Sequence, residues 1–145
     1  MKPDGAGGGT EAETGTTSHS PGIGTMKYML LVYLDENALS ESERESCYRD
    51  SAQLAQDLAS SGHHLDASPL HPTSMATTVR MRNGKRLVTD GPFAETHEQL
   101  GGYFLIEADD LDEAINIAGR IPVVRMGTIE IRPVLEISGL PGQKD

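Results

Sequence analysis

Cysteine, phenylalanine and long hydrophobic runs are all scarce in this chain of 145 residues, which contains one cysteine and two phenylalanines. A single cysteine excludes a disulfide framework and a cysteine-based zinc site, and it fits a reducing compartment. The longest apolar run, residues 29–34, is far shorter than the roughly 20 residues that cross a bilayer. No basic segment precedes an apolar one, as it would in a signal peptide. We therefore expect a cytoplasmic protein without a membrane span.

Basic residues are outnumbered, with 12 lysines and arginines against 22 aspartates and glutamates and a net charge of −10. Such a surface repels phosphate backbones, because nucleic-acid binding relies on clustered cations that release counterions. One dense basic group occurs, formed by Arg80, Arg82, Lys85 and Arg86. We interpret it as the solvent face of a hairpin and expect no nucleic-acid partner.

The first 25 residues differ in composition from the rest of the chain. They are rich in Gly, Thr and Ser, and Ile23 is the only large aliphatic residue among them. Such a segment buries too little apolar surface to offset its ordering entropy. Residues 1–25 are therefore predicted to be a disordered leader, or the product of an upstream start codon. Residues 26–138 are long enough for one domain, and residues 139–145 are predicted to be a flexible tail.

Hydrophobic periodicity predicts the first elements of this domain. Residues 26–34 carry apolar side chains on both alternating faces, which is typical of a strand buried on two sides, and residues 100–108 repeat the pattern. Ser40 and Glu43 match a capping box, which predicts a helix over residues 41–61.

A hairpin is predicted in the middle of the chain. Residues 63–70 form a weaker strand, and residues 76–82 form another. The dipeptide Asn83-Gly84 tolerates the positive φ angles of a type I′ turn, so residues 85–89 should fold back antiparallel on residues 76–82.

A second helix and a last strand complete the domain. Asp109 or Asp110 is predicted to cap the helix, Pro122 to stop it, and residues 127–137 to form the strand. The inward residues predicted for these two elements are Leu111, Ala114, Ile115, Ala118 and Ile121 in the helix and Ile129 and Ile131 in the strand.

The order of strand, helix, strand, hairpin, strand, helix and strand predicts an α+β fold, a ferredoxin-like split βαβ core with an inserted β-hairpin. Two helices can cover only one face of the sheet. The other face would leave an apolar patch larger than monomers usually expose, so we expect a homodimer that packs sheet on sheet.

The most distinctive passage of the chain follows the hairpin. It contains Asp90-Gly91-Pro92-Phe93-Ala94-Glu95 and then Glu98-Gln99-Leu100-Gly101-Gly102-Tyr103, with Ile121-Pro122 further on. These motifs resemble the signature of the DGPF family, the YCII-related proteins, and the resemblance extends loosely over residues 26–137. It implies a dimeric α+β barrel in which two ferredoxin-like sheets pack face to face, and it implies much less about function.

Relatives in the broader YCII-like group are thought to use a pair of residues, a His on the first helix and an Asp near the Gly-Pro corner. Asp90 matches the second position, but residues 41–61 contain no histidine. His63, His64 and His71 are the candidates to replace it across space, although the adjacent His63 and His64 should point to opposite faces. The family's pair is therefore not transferable to this chain.

Asp90 and Glu95 are the candidate acid–base residues. Pro92 should stiffen the corner and hold Gly91 extended, so that two carboxylates sharing one cleft could divide acid and base roles. Tyr103 is the candidate second proton-transfer group. The alternative is that Asp90 caps its own loop and that Glu95 is solvated.

The remaining candidates concern ligand binding. Phe93 is expected to plug the core beneath the loop, and Gly101-Gly102 marks either close approach to a ligand or a tight strand crossing. Cys47 lies beside acidic residues and is interpreted as a small apolar filler rather than a nucleophile. The residues predicted to contact a ligand are Arg80, Gly91, Pro92, Phe93 and His97.

Neither a cofactor nor a metal is expected. The spacings of His63, His71, His97, Asp90 and Glu95 match no ligand pattern, and the chain lacks a Gly-rich phosphate loop.

Two functional hypotheses remain open. One is a cofactor-free acid–base enzyme, of isomerase or lyase type, that acts on a small organic acid. It requires a closed pocket that contains Asp90. The other is a non-catalytic ligand-binding or regulatory module, linked by family association to extracytoplasmic-function sigma factors. It requires a pocket without a poised base, and an open groove lined by Arg80 and Lys85 would favour it.

Overall fold

A computed structural model describes residues 24–142 of the chain. Most of the predicted leader, residues 1–23, and the last three residues of the predicted tail lie outside this range. Within it, no helix is long and apolar enough to cross a membrane. The elements are β1 Met26–Leu34, α1 Glu41–Ser60, β2 His64–Pro69, β3 Thr77–Arg82, β4 Lys85–Asp90, β5 Gln99–Ala108, α2 Leu111–Ala118 and β6 Thr128–Pro133.

The four strands outside the hairpin form one antiparallel sheet in the order β2-β5-β1-β6. This α+β arrangement is consistent with the predicted ferredoxin-like core. Strand β6 is shorter than predicted and ends at Pro133. Its partner β1 begins at Met26, and the last paired residues of the two strands are Tyr28 and Pro133. Strands β3 and β4 form a separate two-stranded sheet.

Both helices pack on the same face of the sheet. Leu30 of β1 and Ile106 of β5 are fully buried there, together with Leu58 of α1 and Ala114 of α2. On the opposite face of β1, Met29 and Leu31 are only half-buried. The expected burial of this strand on two sides therefore holds for one face of the single chain, because nothing among residues 24–142 forms a layer over the other.

Local signals place the starts of the two helices correctly, although the second helix ends at Ala118, before Pro122. Ser40 and Glu43 form the predicted capping box of α1, and Asp110 rather than Asp109 is the N-cap of α2. The predicted inward face of α2 is partly wrong, because Leu111 and Ile115 are exposed. The helix has only two turns, so its buried face is narrow and consists of Ala114, Ile117 and Ala118.

The hairpin forms as predicted. Asn83 and Gly84 adopt φ angles of 52° and 76°, the positive values that a type I′ turn needs. The ladder then pairs Arg82 with Lys85 next to the turn and Thr77 with Asp90 at the base.

Candidate functional site

A cavity of about 450 Å³ lies between α1 and the sheet, where β1 and β2 end and β5 begins. Its volume falls within the range of about 300–1,000 Å³ that is usual for small-molecule sites. Most of its walls are apolar, and they include Val32, Leu34, Ala52, Ala55, Ala67 and Phe104.

Two basic side chains give this cavity its polar character. His64 reaches it from β2, and the ring atom Nδ1 is buried without a hydrogen-bond partner among residues 24–142. An unsatisfied buried polar atom of this kind costs free energy. Arg44 lines the cavity from α1 and, among residues 24–142, donates one hydrogen bond, to the carbonyl oxygen of Glu36 at 2.9 Å. A guanidinium has five N–H donors, so several remain for a ligand.

Glu36 organises the rim of the cavity. Its carboxylate accepts hydrogen bonds of 2.8 Å each from the backbone N–H and the hydroxyl of Thr73. Its own backbone N–H donates to the side chain of Gln99 at 2.9 Å. Together with the bond from Arg44, these contacts connect the loop of Glu36 to α1, to the segment at Thr73 and to β5. Arg44 is thereby oriented before any ligand arrives.

Strand packing explains one glycine of the pair Gly101-Gly102. A Cβ atom at Gly102 would lie 2.9 Å from the carbonyl oxygen of Ser68 on the neighbouring strand. A Cβ atom at Gly101 would lie 2.6 Å from the side chain of Leu34. Of the two explanations considered from the sequence, the tight strand crossing accounts for Gly102, where the neighbour is backbone, but not for Gly101, where the neighbour is the end of a flexible side chain. Both glycines also line the cavity.

Cys47 is half-buried and lines the cavity. Burial raises the pKa of its thiol, and the negative charge of Asp50 raises this pKa further. The thiol therefore stays protonated near neutral pH, in agreement with its interpretation as a filler rather than a nucleophile.

We expect Cys47 to react with iodoacetamide more slowly than free cysteine near neutral pH, since the thiolate is the reactive form and the pKa of this thiol is raised. Mass spectrometry of the alkylated full-length chain measures the rate, because this is the only cysteine. A rate equal to that of free cysteine would contradict the raised pKa.

The candidate acid–base residues lie apart from the cavity. Asp90 at the end of β4, and Glu95 and His97 in the following loop, are exposed and do not line it. The carboxylate of Asp90 has no hydrogen-bond partner within residues 24–142, so the structure offers no support for a loop cap. Arg80 lies on the hairpin and is also exposed.

The Gly-Pro corner differs from expectation in two ways. Gly91 has a φ angle of +105° rather than an extended backbone. Residues other than glycine rarely adopt such a positive φ angle. Its N–H donates to the carbonyl of Ala76 at 2.7 Å, which pulls the corner toward the base of the hairpin. Phe93 is 77% exposed and does not plug the core, because the loop carries it away from the sheet.

Tyr103 is the one predicted site residue that lines the cavity. Its hydroxyl donates a hydrogen bond of 2.9 Å to the carboxylate of Asp66. This bond raises the pKa of the tyrosine, since the carboxylate stabilises the protonated hydroxyl.

The adjacent histidines have different surroundings. His64 lines the cavity, whereas the ring of His63 is buried elsewhere and bonds to Glu113 at 3.0 Å and to the hydroxyl of Ser61 at 2.7 Å. Within residues 24–142, no three His, Cys, Asp or Glu side chains are grouped so that they could hold a metal ion.

Sequence reasoning missed Arg44, His64 and Glu36 as members of one site. They lie on α1, on β2 and in the loop after β1, and no spacing in the sequence links them. A usable signal was the position of Arg44 in the first turn of α1, where a helix N-terminus favours acidic rather than basic residues.

The fold and the cavity together define a small α+β domain with a ligand-sized pocket under its first helix. The family model of the YCII-related domain matches residues 26–138. An uncharacterised protein of Rhizobium meliloti (strain 1021) is 38% identical over 114 residues, which cover 75% of this chain and 92% of that protein. The chain belongs to the YCII-related family.

Proposed function

We propose that this YCII-related protein binds a small organic acid in the cavity between α1 and the sheet. The observation that carries the proposal is a mostly apolar cavity lined by Arg44 and by His64, whose ring atom Nδ1 is buried without a hydrogen-bond partner among residues 24–142. Few convergent polar groups in an apolar pocket are typical of small-molecule sites.

Each part of the cavity wall suits a different part of the ligand. The guanidinium of Arg44 can hold a carboxylate through two parallel N–H donors. The apolar walls would take the carbon skeleton, and His64 would bond to a polar group inside the cavity. Glu36 holds Arg44 through its carbonyl oxygen and leaves the other donors to the ligand.

The test is the binding of benzoate and 4-methylpentanoate to the full-length chain, measured by calorimetry. Arg44→Gln should weaken binding of both acids by at least about tenfold, since a hydrogen bond to a charged group contributes about 1.5–3 kcal/mol. Occupancy of the cavity should also slow alkylation of Cys47, which lines it.

Arg49→Gln is the matched control, because Arg49 lies on the exposed side of the same helix and does not line the cavity. Benzamide, the neutral analogue, should bind the unchanged protein and Arg44→Gln equally. Equal affinities of the two arginine variants for both acids would refute the proposal.

We further propose that the chain is a homodimer that forms the barrel expected of the family. The half-buried Met29, Leu31 and Leu105 lie on the sheet face without helices. They supply an apolar surface that a second sheet would bury.

We propose acid–base chemistry by Asp90, Glu95 and Tyr103 only for the homodimer. In the single chain the cavity is lined by Tyr103 but not by Asp90. This arrangement supports the binding function over catalysis. The alternative of a regulatory module linked to extracytoplasmic-function sigma factors rests on family association alone.

A further inference from the structure

The segment that joins β2 to the hairpin forms part of the cavity wall, and we call it the strap, residues 70–76. Leu70 and Pro72 of the strap line the cavity. The short 3-10 helix Thr73–Met75 that follows them contains no buried residue. This part of the strap therefore has no apolar anchor in the core, and hydrogen bonds decide how firmly it is held.

Two of these hydrogen bonds form a latch, defined here as the pair Glu36 and Thr73. The backbone N–H and the hydroxyl of Thr73 donate to the two carboxylate oxygens of Glu36, at 2.8 Å each. At the start of the strap, the N–H of Leu70 donates to the carbonyl of Gly101 in β5 at 2.9 Å. Between that bond and the hairpin, the latch supplies every hydrogen bond within residues 24–142 that joins the strap to the rest of the domain.

The hairpin beyond the strap adds no further tie to the sheet. Strands β3 and β4 pair only with each other, and in the described part of the chain no hydrogen bond joins residues 77–95 to the four-stranded sheet. The carbonyl of Ala76 accepts from Gly91 at 2.7 Å, so the end of the strap moves with the base of the hairpin. Segments with few buried contacts open locally at low cost in free energy. Once the latch is broken, the strap and the hairpin can therefore swing as one piece.

Glu36 keeps Arg44 in place when the latch opens. The side chain of Glu36 holds the strap, whereas its backbone carbonyl accepts the hydrogen bond of Arg44 and its N–H donates to Gln99. Because Arg44 lies in α1 and Gln99 in β5, these backbone bonds belong to the body of the domain. Opening would therefore remove Leu70 and Pro72 from the wall without displacing the guanidinium.

We propose that the strap is the gate of the cavity and that the latch between Glu36 and Thr73 controls how fast a small organic acid enters and leaves. The inference rests on the binding function proposed above and deepens it by assigning the route of entry. The acid passes only through the open form, while the closed form predominates with and without it. A weaker latch therefore raises the association and dissociation rates together and leaves the affinity nearly unchanged.

The experiment compares Thr73→Val with Thr77→Val in the full-length chain. Both variants replace a threonine by a side chain of the same shape, but Thr77 is exposed and its hydroxyl makes no hydrogen bond within residues 24–142. Relaxation-dispersion NMR with benzoate should show both rates rise by at least about fivefold for Thr73→Val, because a hydrogen bond to a carboxylate is lost, and the dissociation constant change by less than about twofold. Thr77→Val and Thr73→Ser, which keeps the hydroxyl, should match the unchanged protein.

Access to Cys47 tests the gate without any acid. This thiol lines the cavity, and N-phenylmaleimide carries a ring as large as that of benzoate. The rate of its reaction with Cys47 should rise by at least about fivefold in Thr73→Val and by less than about twofold in Thr77→Val, since only the first variant weakens the latch. Urea denaturation of both variants excludes global unfolding as the cause.

Two outcomes would overturn the proposal. If Thr73→Val binds benzoate and reacts with the maleimide at the rates of the unchanged protein, the latch does not control the entrance. If it weakens benzoate binding through the dissociation rate alone, the strap is a fixed wall rather than a gate. Failure of benzoate to bind the unchanged protein would count against the binding function, and the maleimide rates would then decide on the gate by themselves.

Discussion

Replacing Gly127 with alanine should lower the free energy of unfolding by about 2–3 kcal/mol, at the upper end of the usual cost of overpacking. A Cβ atom at this position would overlap the carbonyl oxygen of Tyr33 and would lie 2.8 Å from Cγ1 of Val123. The backbone of Tyr33 cannot retreat, because β1 is paired with β5 on one side and β6 on the other. Urea denaturation measures the loss.

Gly119→Ala is the matched control for this prediction. A Cβ atom there would meet its nearest neighbours at 3.6 Å, an ordinary contact, and Gly119 has a helical φ of −66°. The expected change is less than about 1 kcal/mol, since alanine suits a helical backbone better than glycine. Equal stabilities of the two variants would show that β1 and the segment before β6 are less closely packed than the structure indicates.

Replacing Glu113 with alanine should destabilise the protein by about 2–3 kcal/mol, because it removes charge-assisted hydrogen bonds around a buried ring. One carboxylate oxygen of Glu113 lies 3.0 Å from Nε2 of His63, whose side chain is only 9% exposed. The other oxygen accepts from the backbone N–H of Asp109 at 2.6 Å. The side chain therefore ties the start of β2 to the start of α2.

Asp112→Ala controls for the loss of a negative charge in the first turn of the same helix, where Asp112 is exposed. It should cost only the helix-dipole contribution, about 0.3–1 kcal/mol. Glu113→Gln keeps an acceptor and should fall between the two in thermal or urea unfolding. A cost for Asp112→Ala as large as that for Glu113→Ala would assign the effect to helix charge rather than to the contact with His63.

These two predictions concern residues whose importance only three-dimensional packing reveals. Gly127 was predicted to open a strand, and His63 was weighed only as a substitute catalytic residue or a metal ligand. Hydrophobic periodicity does not predict that the carbonyl of Tyr33 lies close to Gly127. It also does not predict that the carboxylate of Glu113 bonds to His63, 50 residues away. Contacts of this kind depend on how separate elements pack.

The candidate site also depends on how separate elements pack. Sequence reasoning concentrated on the corner at Asp90, because proline and glycine mark it plainly. The cavity instead joins Arg44 on the first helix, His64 on the next strand and Glu36 in a loop. Phe93 was assigned to the core on its hydrophobicity alone, yet it is exposed, since a loop residue is buried only if the chain folds over it.

The sequence by itself determined the order of elements, the capping box of α1 and the turn at Asn83-Gly84, because each follows from side-chain period or from φ angles set by nearest neighbours. It also carried the motifs of the YCII-related family. Only the tertiary structure decided which histidine reaches the cavity and that Glu36 binds Thr73 across 37 residues. Sequence spacing encodes distance along one element, whereas the packing of different elements decides which side chains meet.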